Sequence, residues 1–227
     1  MTVIRVAGSL LALVFATACG GRHHLDQYHF SNKRIALVYI EPPAPELLHG
    51  WFDVRPSEST VQTVVRAGAS VAKEIQARRA SARFDSATVH VDFQARLAQR
   101  TLERASRYLG TRAVTTPDSA DFVLEVQMRS FGIDARSNHA TYLYSRAEAV
   151  LLDRRTGREI WHRNVRGRDQ LTAWVHGGGI VPSAGISAIT LATVSVADFQ
   201  EALEQLVNYT SNLITNELRD KLRDVRN

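Results

Sequence analysis

The 227-residue chain carries a single cysteine, Cys19. One thiol excludes an internal disulfide and cannot build a zinc-thiolate cluster. Aromatic residues make up 7% and methionines number two. No apolar run reaches the roughly 20 residues needed to cross a bilayer. Long stretches of one charge are also missing. Lys and Arg are interleaved with Asp and Glu, and the net charge is +5. That pattern describes a mixed, solvated surface and argues against a nucleic-acid stripe. The densest basic cluster, Arg154-Arg155 with Arg158, falls in an expected turn and reads as solvated turn charge. Apolar residues at 44% and charged residues at 22% are the proportions of a folded domain, and the length suits one domain.

The first twenty residues have an order of their own. Arg5 gives a positive start, Val6 to Phe15 an apolar run, and Ala16-Thr17-Ala18 the small residues that a signal peptidase reads. Cys19 follows at once. The segment resembles the lipobox of bacterial lipoproteins, with Ala16 where that family usually has Leu. The resemblance implies removal of residues 1–18 and fatty acylation of Cys19. Membrane lipid would then be a partner through the N-terminal acyl chains. Gly20, where inner-membrane retention signals often have Asp, implies the outer membrane, with the protein facing the periplasm. Ala16-x-Ala18 also suits ordinary secretory cleavage, which would leave a soluble protein with a free thiol.

Residues 19–33 are polar, without a period, and read as a lipidated tether. Residues 34–227 read as a single α+β domain. Arg34 to Ile40 is a buried strand, stopped by Pro42, Pro43 and Pro45. Glu46 to Glu58 reads as a loop packed by its aromatics. Ser59 to Ala82 reads as a helix with Val61, Val64, Val65, Val71 and Ile75 on one face. A second helix opens at Asp92 and ends at Gly110, with Leu97, Thr101, Ala105 and Leu109 inward and Arg96, Arg100, Arg104 and Arg107 facing away. The period then becomes two. Phe122 to Arg129, Tyr142 to Leu152 and Glu159 to Arg166 form an antiparallel meander, its second turn made by Asp153 to Arg158. The uncharged stretch Val175 to Val194 reads as a loop entering a short buried helix. Ser195 and Asp198 form a capping box for a long closing helix. The expected fold is a two-layer α+β sandwich in the order β-α-α-β-β-β-α, a mixed or antiparallel sheet with helices on one face.

Ala120-Asp121-Phe122-Val123-Leu124-Glu125-Val126 and Leu151 to Trp161 resemble the strand and turn motifs of a group of periplasmic lipoprotein domains. The group includes the curli-secretion lipoprotein family and the amino-terminal domain of the Tol-system propeller protein. The resemblance implies this fold, and it bears on function only weakly. The chain lacks the alternating membrane-inserting hairpins that would imply a pore.

Chemistry is hard to nominate. His176-Gly177-Gly178-Gly179 matches an esterase oxyanion motif, but no nucleophile elbow follows at a suitable distance. His23, His24 and His29 cluster without a defined ligand set, so no metal is expected. His49, His90, His139 and His162 are scattered. Asp118, Asp121 and Glu148 need no catalytic role, and Trp51, Trp161 and Trp174 read as packing residues. Asn208-Tyr209-Thr210 fits a glycosylation acceptor but sits on a helix in a bacterial-type chain. The expectation is no catalytic residue, no cofactor and no nucleic acid. The chain reads as a non-catalytic interaction or assembly domain with an envelope protein partner and with room for self-association through a free sheet edge. The alternatives are a carrier or auxiliary lipoprotein of a transport system, with Gly177 to Val194 lining an apolar groove, and an unrecognised hydrolase.

Overall fold

Strict alternation over Phe122 to Met128 demands a sheet with one buried face, and that sheet organises everything else. The computed structural model describes residues 23–41, 43–49, 78–135, 142–170 and 194–226. Its strands are β1 (Arg34–Tyr39), β2 (Glu46–His49), β3 (Arg112–Val114), β4 (Phe122–Ala135), β5 (Tyr142–Asp153) and β6 (Glu159–Gln170). The helices are α1 (residues 78–90), α2 (Phe93–Leu109) and α3 (Val196–Arg226). The sheet runs β3-β1-β4-β5-β6. β1 is parallel to both β3 and β4, while β4-β5 and β5-β6 are antiparallel. The fold is thus α+β with a mixed sheet.

The meander stands as expected, with β4 and β6 longer than the alternation suggested. Its second turn is shaped by Asp153, whose carboxylate accepts the amides of Arg155 at 2.9 Å and Thr156 at 3.1 Å. Gly157 takes φ 68° there, a left-handed conformation that glycine adopts without a Cβ clash. The return strand is then anchored by Trp161, 2% exposed.

Helices α2 and α3 cover one face, α2 on β1 and β4, α3 on β5 and β6. Asp92 caps α2 by accepting Ala95 N at 2.9 Å, and Gly110 closes it at φ 71°. The Ser195–Asp198 box opens α3 reciprocally. Ser195 N donates to the Asp198 carboxylate at 2.9 Å, and Asp198 N donates to Ser195 Oγ at 3.1 Å. Ser195 Oγ also donates to that carboxylate at 2.7 Å, and this bond together with the one from Ser195 N holds the Asp198 carboxyl below the ordinary carboxylate range. Leu97, Leu124, Met128, Leu151, Trp161, Phe199 and Leu203 fill the space between the layers.

Three expectations need correction. The segment from Glu46 is not all loop, because Glu46–His49 forms β2 beside the far half of β4. Of the helix expected over Ser59 to Ala82, residues 59–77 lie outside the described residues, and the described part does not end at Ala82 but runs to residue 90. Ala80, Phe84 and Ala87, all buried, supply an inward stripe there, and Phe84 meets Phe199 edge-on at 5.4 Å. The arginines of α2 do not all face solvent. Arg96 and Arg100 both pair with Glu204 of α3, and Arg104 donates to the Asn208 carbonyl at 3.2 Å. Their stems cover the helix seam while their heads reach polar partners at its rim.

Candidate functional site: the N-terminal pole and the polar sheet face

The segment that precedes β1 is packed. Leu25–Gln27 forms a short 3-10 turn, and His24 N donates to the Ile160 carbonyl at 2.8 Å. Leu25 is 1% exposed and Phe30 6%. Phe30 and Phe122 lie 4.9 Å apart, with Tyr28 edge-on to Phe122 at 6.0 Å. Asn32 N donates to the Gly110 carbonyl at 3.0 Å and delivers the chain into β1. The expectation of a free tether through Lys33 is therefore corrected from His23 onward. Leu25, Tyr28 and Phe30 have no helical or strand period, yet they bury enough apolar surface to dock. Cys19 and the apolar run before it lie outside the described residues.

This docking marks one pole of the molecule. β1, β3 and β4 begin there, and the β5–β6 turn lies there. Arg112 N bonds the Lys33 carbonyl at 2.8 Å, Asp121 N bonds the Arg34 carbonyl at 2.9 Å, and Arg154 N bonds the Asp121 carbonyl at 3.1 Å. Helices α2 and α3 run parallel, so both C-termini reach the same pole; the Arg219 guanidinium lies 5.9 Å from the centre of the Tyr108 ring. A groove of about 460 Å³ opens there between the N-terminal segment and α3, with Leu25, Tyr28, Leu109, Leu222 and Val225 in its walls.

The sheet face away from the helices carries most of the remaining titratable contacts. Glu148 is gripped from two sides. Arg129 Nε donates to it at 2.8 Å, and His162 Nε2 lies 2.7 Å from its other oxygen. Partial burial pushes the Glu148 carboxyl up, but the hydrogen bonds and charges of Arg129 and His162 outweigh this and hold it below its ordinary value. Further along, the Tyr144 hydroxyl donates to the Glu46 carboxylate, and Arg168 lies 3.5 Å from Asp134. Burial and the Glu46 contact push the Tyr144 phenol above its ordinary value. In each of these contacts a carboxylate faces a cation, an imidazole or a hydroxyl.

The other nominated carboxylates act in the same manner. Asp121 accepts Arg34 N at 2.8 Å, which holds its carboxyl low, and Asp118 pairs with Arg154 at 2.9 Å. Trp161 is in the core, as expected. Among the described residues no group of three His, Cys, Asp or Glu is placed to hold a metal ion. His176 to Gly179, Trp51, Trp174 and His139 lie outside the described residues. Sequence reasoning missed Gln94, fully buried and bonded to β4 at both Val126 and Met128. A polar residue at an inward helical position was the available signal. Among the described residues no helix is long and apolar enough to cross a membrane.

No protein-family model matches the chain, and no curated protein does. Solved structures with a similar course include lipoprotein GNA1162 of Neisseria meningitidis, at 14% identity over 81% of this chain and 99% of that one, TM-score 0.29. The PelC dodecamer of Paraburkholderia phytofirmans matches at 8% identity over 81% and 94%, TM-score 0.29. Protein CT253 of Chlamydia trachomatis matches at 10% identity over 79% and 98%, TM-score 0.34. The chain spans 63% of the length of two further neighbours, one of them from Xanthomonas campestris. At these scores the likenesses leave the function to be argued from the chain's own residues.

Proposed function

We propose that the protein is a lipoprotein of the bacterial cell envelope, anchored through acyl chains on Cys19 at the outer membrane, and that its α+β domain serves as a non-catalytic interaction or assembly module in the periplasm. The observation that carries this reading is the docking of the N-terminal segment. Cys19 stands five residues before His24, whose amide is bonded to β6. An extended chain spans at most about 3.6 Å per residue, so an anchor on Cys19 would hold the domain within roughly 18 Å of the lipid. Two or more acyl chains hold a protein stably, at about 0.8 kcal/mol per buried CH₂.

The filled layer interface supports a binding role over catalysis. A carrier needs an apolar cavity; among the described residues the space between sheet and helices is occupied by Leu97, Met128, Trp161 and Phe199, and residues 177–193, expected to line such a groove, lie outside the described residues. The titratable clusters on the sheet face are neutralised by one another. Changing Cys19→Ser tests the anchor: the variant should move from the membrane fraction to the soluble periplasmic fraction. Its retention in the membrane would contradict the reading.

A further inference from the structure

The N-terminal pole is not electrically neutral. Three of its arginines are matched, Arg34 by Asp121 at 3.6 Å, Arg154 by Asp118 at 2.9 Å and Arg219 by Asp220 at 3.2 Å. Arg107, Arg112, Arg155, Arg158 and Arg223 are exposed there and make no ion pair among the described residues, while Lys33, also exposed, shares the field of Asp121 with Arg34. They come from five separate places in the chain: the entry to β1, the end of α2, the start of β3, the β5–β6 turn and the last turns of α3. Each is unremarkable in the sequence. The parallel run of α2 and α3, together with the common start of β1, β3 and β4, brings them to one end of the fold.

We propose that this basic pole is a membrane-contacting surface and that it binds the headgroups of anionic phospholipids. The inference rests on the anchored reading for its orientation. If Cys19 is held in lipid, the leash of at most roughly 18 Å emerges beside Ile160 and the Arg154–Arg158 turn, so this pole must face the bilayer. The five unmatched arginines and Lys33 then lie where an anionic surface attracts them, most strongly within a Debye length. Lipid and patch act together, as one acyl chain plus a basic patch does elsewhere. Of the acidic groups of the pole, Asp118, Asp121, Asp220 and Asp224 already have cationic neighbours, Asp153 accepts the amides of its own turn and Glu159 lies beside His162, which leaves exposed Asp26 against the five unmatched arginines. The opposite end of the sheet, where β2 ends, is left pointing away from the membrane toward soluble partners.

The test uses residues 19–227 carrying Cys19→Ser, so that no acyl chain contributes, and vesicles of phosphatidylcholine with or without 30% (about one third) phosphatidylglycerol. Binding is expected to the anionic vesicles only and to fall with salt. The triple variant Arg112→Gln, Arg155→Gln, Arg158→Gln should bind at least about tenfold more weakly, with unchanged thermal unfolding. Arg166→Gln, an exposed site in mid-strand on β6, should bind as the parent does. Equal binding of the triple variant and the parent would overturn the proposal, as would binding to duplex DNA without binding to anionic vesicles. The outcome is independent of the anchor. Absence of acylation in native material would refute the lipoprotein reading and leave vesicle binding standing, whereas retention by acyl chains without vesicle binding would refute the pole alone.

Discussion

Gln94 of α2 holds the backbone of β4 at both ends of its amide: Nε2 donates to the Val126 carbonyl at 2.7 Å, and Oε1 accepts Met128 N at 2.9 Å. The position has a cause in the sheet. β1 pairs with β4 as far as Val126, and β2 resumes pairing only at Gly132. The prolines between β1 and β2 interrupt that edge, and β4 itself bulges between Met128 and Ser130. Gln94 replaces the missing strand with a side chain.

Removing that amide leaves a buried carbonyl and a buried N–H without partners, each costing roughly 1–3 kcal/mol. Gln94→Leu should therefore lower unfolding free energy by about 2–5 kcal/mol in urea titration. A loss under about 0.5 kcal/mol would mean that water or a backbone shift replaces the amide.

β2 depends on a missing side chain. A Cβ on Gly132 would sit 1.8 Å from the Glu46 carbonyl oxygen, within the β2 backbone. Gly132→Ala should expel β2 and speed amide exchange at Leu47 and Leu48 by more than tenfold. Gly157→Ala serves as the comparison. A Cβ there meets nothing within 4 Å, so only the left-handed backbone strain applies, about 1 kcal/mol, and β2 exchange should be unchanged.

Acid should weaken the fold through Asp198, Asp121 and Glu148, whose carboxyls are all held below their ordinary values. A carboxylate with a lowered folded pKa contributes stability that is complete above its unfolded value of about 4 and is lost as pH falls through the folded value. Stability should thus be flat near neutrality and decline below about pH 4. Asp198→Ala should cost about 1 kcal/mol at pH 7 through the lost cap and reduce the slope of that decline. An unchanged slope would remove Asp198 from the account.

The parts of the fold legible in the sequence are those where one local rule acts alone. Period two over Phe122 to Met128, the Asp153–Gly157 turn, the Asp92 and Gly110 ends of α2 and the Ser195–Asp198 box each left a signal that the structure keeps. β2 and β3 left almost none, because four and three residues are too short for a period to register. That Arg96, Arg100 and Arg104 meet α3 was hidden for a different reason. Periodicity identifies the apolar stripe of a helix, but not which polar flank a second helix will meet. Leu25 and Phe30 were read as tether because their burial depends on the ends of α2 and α3, more than 75 residues away in the chain. The basic pole is of the same kind, assembled from distant residues by topology. Cys19 was nominated from sequence order alone, through the small residues that precede it.

The central claim is an acyl anchor on Cys19 that holds a packed domain at the membrane surface. Intact mass of the mature protein, purified in detergent from native membranes, tests it most directly. The account predicts the mass of residues 19–227 plus fatty acyl groups. The mass of an unmodified chain with a free Cys19 thiol would contradict it and would make this a soluble secreted protein.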